Sequence, residues 1–260
     1  MEKLDYLKKI EKLPEHNDLE WNIPEQKTGT LAIIGGNSQN FSSVIRSAEY
    51  LNHNYPIKQL NIVLPDALRS KVPPIPGTIF CPSTESGSFA ESALLEESLK
   101  NTDINLLIGN LSHNSATTIA VAKAIKNASG PVVLARDSTD ILLAEMSELI
   151  EDTNLIVIAS LAQLQKLFRA VYYPKVLLLS MPLIPVVEAI HKFTLSYPTT
   201  ILTFHQGQII VAGSGLVYTI PIEETTYTPI SLWIGTLAAK VSAMNLYNPG
   251  KLVEATLAAI

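Results

Sequence analysis

The sequence predicts an α/β fold: a mostly parallel central sheet flanked by helices on both faces, with a small antiparallel meander near the carboxyl terminus. Three observations predict it. Short apolar runs without polar alternation recur along the chain, as strands buried on both faces require. Amphipathic stretches of helical period separate most of them. After residue 171 the pattern changes, and "TTILTFHQGQIIVAGSGLVYTIPI" reads as consecutive strands with tight turns at Gln206-Gly207 and Gly213-Ser214-Gly215.

Residues 2–13 place Leu4, Leu7, Ile10 and Leu13 at helical spacing with charge between them. So short a helix must pack on the body or on a partner to persist. "PEHNDLEWNIPEQKTG", with Trp21 and Pro24, reads as an irregular arm, so residues 1–29 form an N-terminal helix and arm on a single domain of 1–260. The strand runs are "TLAIIG", "QLNIVL", "GTIFCP", "INLLIG", "PVVLA" and "NLIVI". Helical patterns fall at 40–53, 88–100, 114–128, 138–150 and 160–171, and "VVEAIHKFTLS" is helical too. Two helices, roughly 229–246 and 249–260, close the chain. No internal repeat, low-complexity tract or linker interrupts it.

With 260 residues and 47% apolar content, the chain can bury a sizeable core without disulfide or metal. Cys81 is the only cysteine, which excludes an internal disulfide and any CxxC metal site. A net charge of −5 and the lack of a basic cluster give no electrostatic case for nucleic acid. The opening residues mix both charges without an apolar h-region, unlike a secretory signal. Longer apolar runs such as "KVLLLSMPLIPVVEAI" are too short and proline-interrupted to span a bilayer. The expectation is a cytoplasmic protein with neither membrane nor nucleic acid as partner.

In an open parallel sheet, ligands sit beyond the carboxyl ends of the strands. That rule gathers Gly35, Gly109, Asp137 and Ser160 on one rim. "LAIIGGNSQNFSSVIRSAEYL" is strand, glycine turn and helix, where Gly35, Gly36 and the following amides suit an anion. Its spacing is not GxGxxG, and the plain alternative is a tight turn capped by Asn37 or Ser38. His113 suits a ligand or base less well than a helix cap or a solvated side chain. No second histidine or paired acid lies near enough in sequence for a metal site. "GSGL" at 213–216 precedes a strand rather than a helix, so it reads as a hairpin turn and not an anion loop.

The order of these elements resembles the ribokinase-like superfamily. Within it the chain is similar to the ADP/ATP-dependent NAD(P)H-hydrate dehydratases (the YjeF carboxyl-terminal domain, related to carbohydrate kinases), over about residues 28–260. "TLAIIGGNS" resembles the family's opening strand and GGS turn, with the serine moved one place. "INLLIGN" is similar to its strand ending in GPGLG and keeps only Gly109. "VVLARDSTDILL" resembles "vvlDADaLnll", with Ala135 at the first acid and Asp137 at the second. "IASLAQLQKL" resembles "tPHpgElarL", which puts Ser160 at the histidine and Gln163 at the glutamate. "ILTFHQGQIIVA" resembles "vvLKGa.tvia" and puts His205 at the lysine. "PISLWIGTLAA", preceded by Thr228, resembles "GSGDVLAGIIAA". Ser231 then falls at the catalytic aspartate and Gly235 at the later glycine.

The resemblance implies a ligand site made of Gly35, Gly36, Asn37, Gly109, Asp137, Gln163, His205, Thr228 and Gly235, with ATP or ADP as its occupant and no metal ligand named. It also implies lost catalysis. A positioned general base contributes about 10²–10⁴ in rate, and preorganised anion donors a further roughly 10²–10³. Ser231 replaces the first, and the glycine-free approach to it replaces the second. The reading is a catalytically inactive relative that retains a nucleotide or other small anionic ligand. Two alternatives stay open. One is an active hydrate dehydratase or small-molecule kinase with a site rebuilt from Asp137, His205 or Ser231. The other is a structural assembly subunit, which the apolar helices at 160–190 and the N-terminal arm would suit. The terminal helix and arm predict a homo-oligomer, with a dimer favoured.

Overall fold

The computed structural model describes residues 4–11, 23–152 and 154–260. Among them, ten strands form one sheet. They are β1 (Leu7–Lys9), β2 (Thr28–Gly35), β3 (Ile57–Pro65), β4 (Thr78–Cys81), β5 (Ile104–Gly109), β6 (Val132–Ala135), β7 (Leu155–Ile158), β8 (Thr199–His205), β9 (Gln208–Gly213) and β10 (Leu216–Pro221). Their order is β1-β10-β9-β8-β7-β6-β5-β2-β3-β4. Every pairing is parallel except β8 with β9 and β9 with β10, so β9 alone runs against the rest.

Alternate residues of each strand enter different cores. Ala32, Ile34, Leu107, Val132 and Leu134 face one, while Leu31, Ile33, Leu106, Ile108 and Val133 face the other. All are essentially solvent-free, which is why the sequence shows apolar runs instead of alternation. The first core is covered by α2 (Ala93–Lys100), α3 (Ser115–Lys126), α5 (Met146–Asp152), α6 (Leu161–Ala170) and α7 (Leu183–Ser196). The short α4 (Ser138–Ile141) leads into them. Phe168 and Phe193 stack at its centre, 4.3 Å between ring centroids. The second core lies under α1 (Ser42–Asn54), α9 (Thr236–Tyr247) and α10 (Leu252–Ala258).

The predicted strands and turns are present. Gln206 (φ 45) and Gly207 (φ 73) close one hairpin, and Ser214 (φ 50) and Gly215 (φ 75) the next. Both central residues of each turn are left-handed, the geometry that suits strand twist. "GSGL" is therefore a hairpin turn.

Two expectations are corrected. Where a helix was expected over 2–13, the described residues 4–11 contain strand β1, paired with β10 through Leu7 and Val217. Leu7 packs into the first core and Ile10 against the second, since residues three apart in a strand face opposite ways. The free edge of β10 offers a ladder of hydrogen bonds that a short isolated helix cannot match. Leu13 and Trp21 lie outside the described residues. The helix expected over 229–246 is broken at Gly235 into α8 (Ser231–Ile234) and α9. Gly235 is left-handed (φ 96), and an added Cβ would lie 3.1 Å from Ser47 Oγ and 3.2 Å from Ile108 Cδ1. The chain there is pressed against α1 and β5, and glycine relieves both constraints.

Candidate functional site

Three strand ends meet at Asn110. Gly109 and Asn110 leave β5 with φ 80 and φ 59, a glycine–asparagine pair suited to left-handed backbone. The Gly36 amide donates to Gly109 O at 3.0 Å, tying the end of β2 to the end of β5. Asn37 Nδ2 donates to Asn110 O at 2.8 Å. The Asn110 amide donates to both carboxylate oxygens of Asp137, each at 3.0 Å, which ties β5 to the end of β6. Ser43 Oγ on α1 donates to Asn110 Oδ1. Asn110 is 8% exposed, so these bonds satisfy groups that water does not reach freely.

Gly35, Gly36, Asn37, Gly109 and Asp137 thus form one cluster. Their donors, however, are engaged. Asn37 N donates to Asn40 O, Ser38 N to Gly87 O, and Gln39 N and Asn40 N to Asn37 Oδ1. The loop between β2 and α1 therefore does not present the free amides expected from its glycines. Asn37 Oδ1 closes the loop on itself, but neither Asn37 nor Ser38 caps the helix as the plain alternative expected: Phe41 stands at the N-cap of α1, with no side-chain cap.

The remaining residues lie in other settings. Ser160 and Gln163 form a reciprocal cap on α6, and Gln163 Nε2 also donates to Arg136 O at 2.6 Å and Asp140 Oδ2 at 2.8 Å. His205 ends β8, four strand positions from β2 in the sheet order and so about 19 Å away along the sheet. Its Nε2 donates to Met181 O at 2.7 Å, since a carbonyl can only accept. Ser231 Oγ accepts from the Thr228 amide at 3.1 Å, closing the turn that starts α8. Gly235 stands at the start of α9, beside Ile108. Among the described residues no three His, Cys, Asp or Glu side chains gather as a metal site needs.

Two residues on this rim escaped the sequence reading. Arg136 follows β6 directly in left-handed backbone (φ 59), half-buried, with a buried Nε that has no hydrogen-bond partner. Burial holds its guanidinium below the usual basicity; neighbouring Asp137 offsets part of this and Arg46 adds to it. Arg46 is exposed on α1, on the helical face shared with Ser43 and Ser47. Ninety residues separate the two arginines in sequence, and the charge of Arg46 reaches Arg136 only as the smallest of the three effects on it. The local signal was "LARD", a cation ending a buried strand.

Among the described residues, cavities open away from the Asn110 cluster. One of about 260 Å³ is lined by Thr199, Thr200, Gly213, Leu216 and Val253 at the opposite ends of the strands. Another of about 430 Å³ lies between Leu161, Gln165 and Leu177–Leu179.

A mostly parallel sheet with helices on both faces and a clustered carboxyl rim is a doubly wound α/β arrangement, and the solved structures that share it make the fold ribokinase-like. YxkO of Bacillus subtilis, a member of the UPF0031 family, superposes with a TM-score of 0.63 at 15% identity, covering 93% of this chain and 83% of that one. A ribokinase-like superfamily protein from Enterococcus faecalis gives 0.61 at 13%, covering 98% and 85%. The ADP/ATP-dependent NAD(P)H-hydrate dehydratase of Bacillus subtilis, co-crystallised with ATP and Mg²⁺, gives 0.59 at 14%, covering 95% and 82%. At such identities the likeness is one of fold. No family model matches the sequence, and no curated protein matches it. No helix among the described residues is long and apolar enough to cross a membrane.

Proposed function

We propose that this chain is a non-catalytic relative of the NAD(P)H-hydrate dehydratases that holds a nucleotide or another small anionic ligand at the carboxyl rim of its sheet, in the cytoplasm. One observation carries the reading: the position where the resemblance asks for a general base holds Ser231, whose hydroxyl accepts the Thr228 amide. A serine takes up no proton at neutral pH without a neighbouring base. The two positions aligned with the family's acids support it. Ala135 has no carboxylate, and both oxygens of Asp137 receive the Asn110 amide.

The test is an assay of ATP- or ADP-dependent dehydration of hydrated NADH and NADPH by the purified chain. No conversion is expected, and Ser231→Asp stays silent because the approach to α8 lacks glycine and donors for a transferred phosphoryl group. Repeated turnover that disappears in Ser231→Ala would overturn the reading.

Assembly is a second reading, favoured by one observation. Leu178, Leu179, Ile230 and Trp233 are 54%, 74%, 65% and 45% exposed. Large apolar side chains grouped at 178–179 and 230–233 suit contact with another copy of the chain, most simply in a dimer.

A further inference from the structure

The cavity of about 260 Å³ lies at the amino ends of β7 and β8, beside the β9–β10 turn and the start of α10, at the far end of the strands from the carboxyl rim. Its floor is buried and polar. Thr200 is 3% exposed, and strand alternation sends its side chain to the face of Leu202, the face that α10 covers. Its hydroxyl has no hydrogen-bond partner among the described residues. Gly213 stands beside it: an added Cβ would lie 3.1 Å from Thr200 Oγ1 and 2.5 Å from Val253 Cγ2, so glycine leaves that hydroxyl uncovered. The mouth is exposed and carries Asn154, Ser214 and Glu254, while Leu216, Leu252 and Val253 supply apolar wall. Glu254 is the one charged side chain of the lining.

These walls select a chemistry. A buried hydroxyl without a partner disfavours the empty site and favours a ligand that can hydrogen-bond to it. An apolar ligand would leave it unpaired. An anion would face the Glu254 carboxylate with no cation in the lining to offset it. A metal ion would find a single carboxylate, short of the oxygen ligands it needs. A ligand with hydroxyl groups for the floor and an ammonium for the mouth satisfies both. The volume falls just below the roughly 300–1,000 Å³ usual for small-molecule sites, which suits a molecule of monosaccharide size.

We propose that this cavity binds a small hydroxylated amine of monosaccharide size, with its hydroxyls on Thr200 and Ser214 and its ammonium on Glu254. The site is separate from the carboxyl rim, and nothing in it depends on the function proposed there.

Calorimetric titration of glucosamine into the full chain, at about pH 6.5 where an aliphatic amine is protonated, tests it, with glucose as the uncharged counterpart. Wild type binds glucosamine with millimolar affinity or better, and more tightly than glucose. Glu254→Gln weakens glucosamine binding about tenfold, as expected for a lost charge-assisted bond, and Thr200→Val weakens it about threefold or more. Without ligand, Thr200→Val melts no lower than wild type, because the hydroxyl it removes is buried and unpaired. A threonine bonded within the fold would do the opposite, so melting several degrees lower overturns the proposal. Wild type that binds no glucosamine at millimolar concentration, or binds glucose as tightly, overturns it too. So does glucosamine binding that either variant leaves unchanged.

Discussion

The Asn110 amide lies 3.0 Å from each carboxylate oxygen of Asp137, and this one contact fastens the end of β5 to the end of β6. A Cβ added to Gly109 would sit 2.0 Å from Asp137 Oδ1, so the acid is wedged beneath the left-handed turn that it supports. Asp137 here works as a fastening. Ala135, two residues before it, stands where the resemblance has a further acid.

The acid and the turn above it can both be tested for stability. Asp137→Ala removes a charged acceptor from a nearly buried amide and is expected to lower unfolding free energy by about 1.5–3 kcal/mol. Gly109→Ala forces a side chain into left-handed backbone already occupied by the acid, at about 1–3 kcal/mol. Urea titration reads both. An unfolding midpoint unchanged in Asp137→Ala would remove the fastening role.

Alkaline pH should weaken the fold. Burial pushes the Tyr227 and Tyr247 hydroxyls up to about 12 and raises Tyr55 further, with Tyr50 adding to the effect at Tyr55. Tyr55 sits in an aromatic group, 6.1 Å from Tyr50 and 6.4 Å from Tyr247 between centroids. The folded state holds these protons more tightly than the unfolded chain, whose tyrosines ionise near 10. Their contribution is therefore complete below about pH 10 and fades as pH climbs toward 12. Urea midpoints should fall between pH 9.5 and 11.5, less steeply in Tyr247→Phe. Equal slopes in the two proteins would show that the hydroxyl is not desolvated.

Light scattering at micromolar concentration should return the mass of a dimer. Leu179→Glu and Trp233→Glu place charge on the two exposed apolar groups, and at least one is expected to give monomers. A monomeric wild type would leave those side chains without the partner assigned to them.

Much of the architecture is legible in the sequence, for a physical reason. Strands buried on both faces must be apolar throughout, so "INLLIG" and "PVVLA" announced themselves. The two hairpin turns were equally plain, because Gln206-Gly207 and Ser214-Gly215 supply the left-handed backbone their geometry demands. The errors fell where distant residues decide. Leu4, Leu7 and Ile10 have helical spacing, yet the open edge of β10, two hundred residues later, recruits Leu7–Lys9 into a strand. Gly235 interrupts a convincing helical pattern because Ser47 and Ile108 leave no room for a side chain. The candidate site was legible in its glycines and opaque in its charges. Glycine turns mark strand ends locally, whereas the burial of Arg136 Nε depends on what distant segments pack over the end of β6.

β1 also governs what the sheet does at its margin. Three residues, Leu7–Lys9, occupy the outer ladder of β10, with the Tyr6 ring stacked 3.6 Å from His191 to hold the segment down. Behind them runs β10, with Val217 in the first core and Ile220 in the second, and its outer backbone groups would otherwise wait unpaired at the boundary. Those three residues are thus a seal on a templating surface. Trimming through Lys9 would leave most of the core untouched and bare the six-residue edge of β10, a longer ladder than β1 itself offers to a strand from a neighbouring molecule.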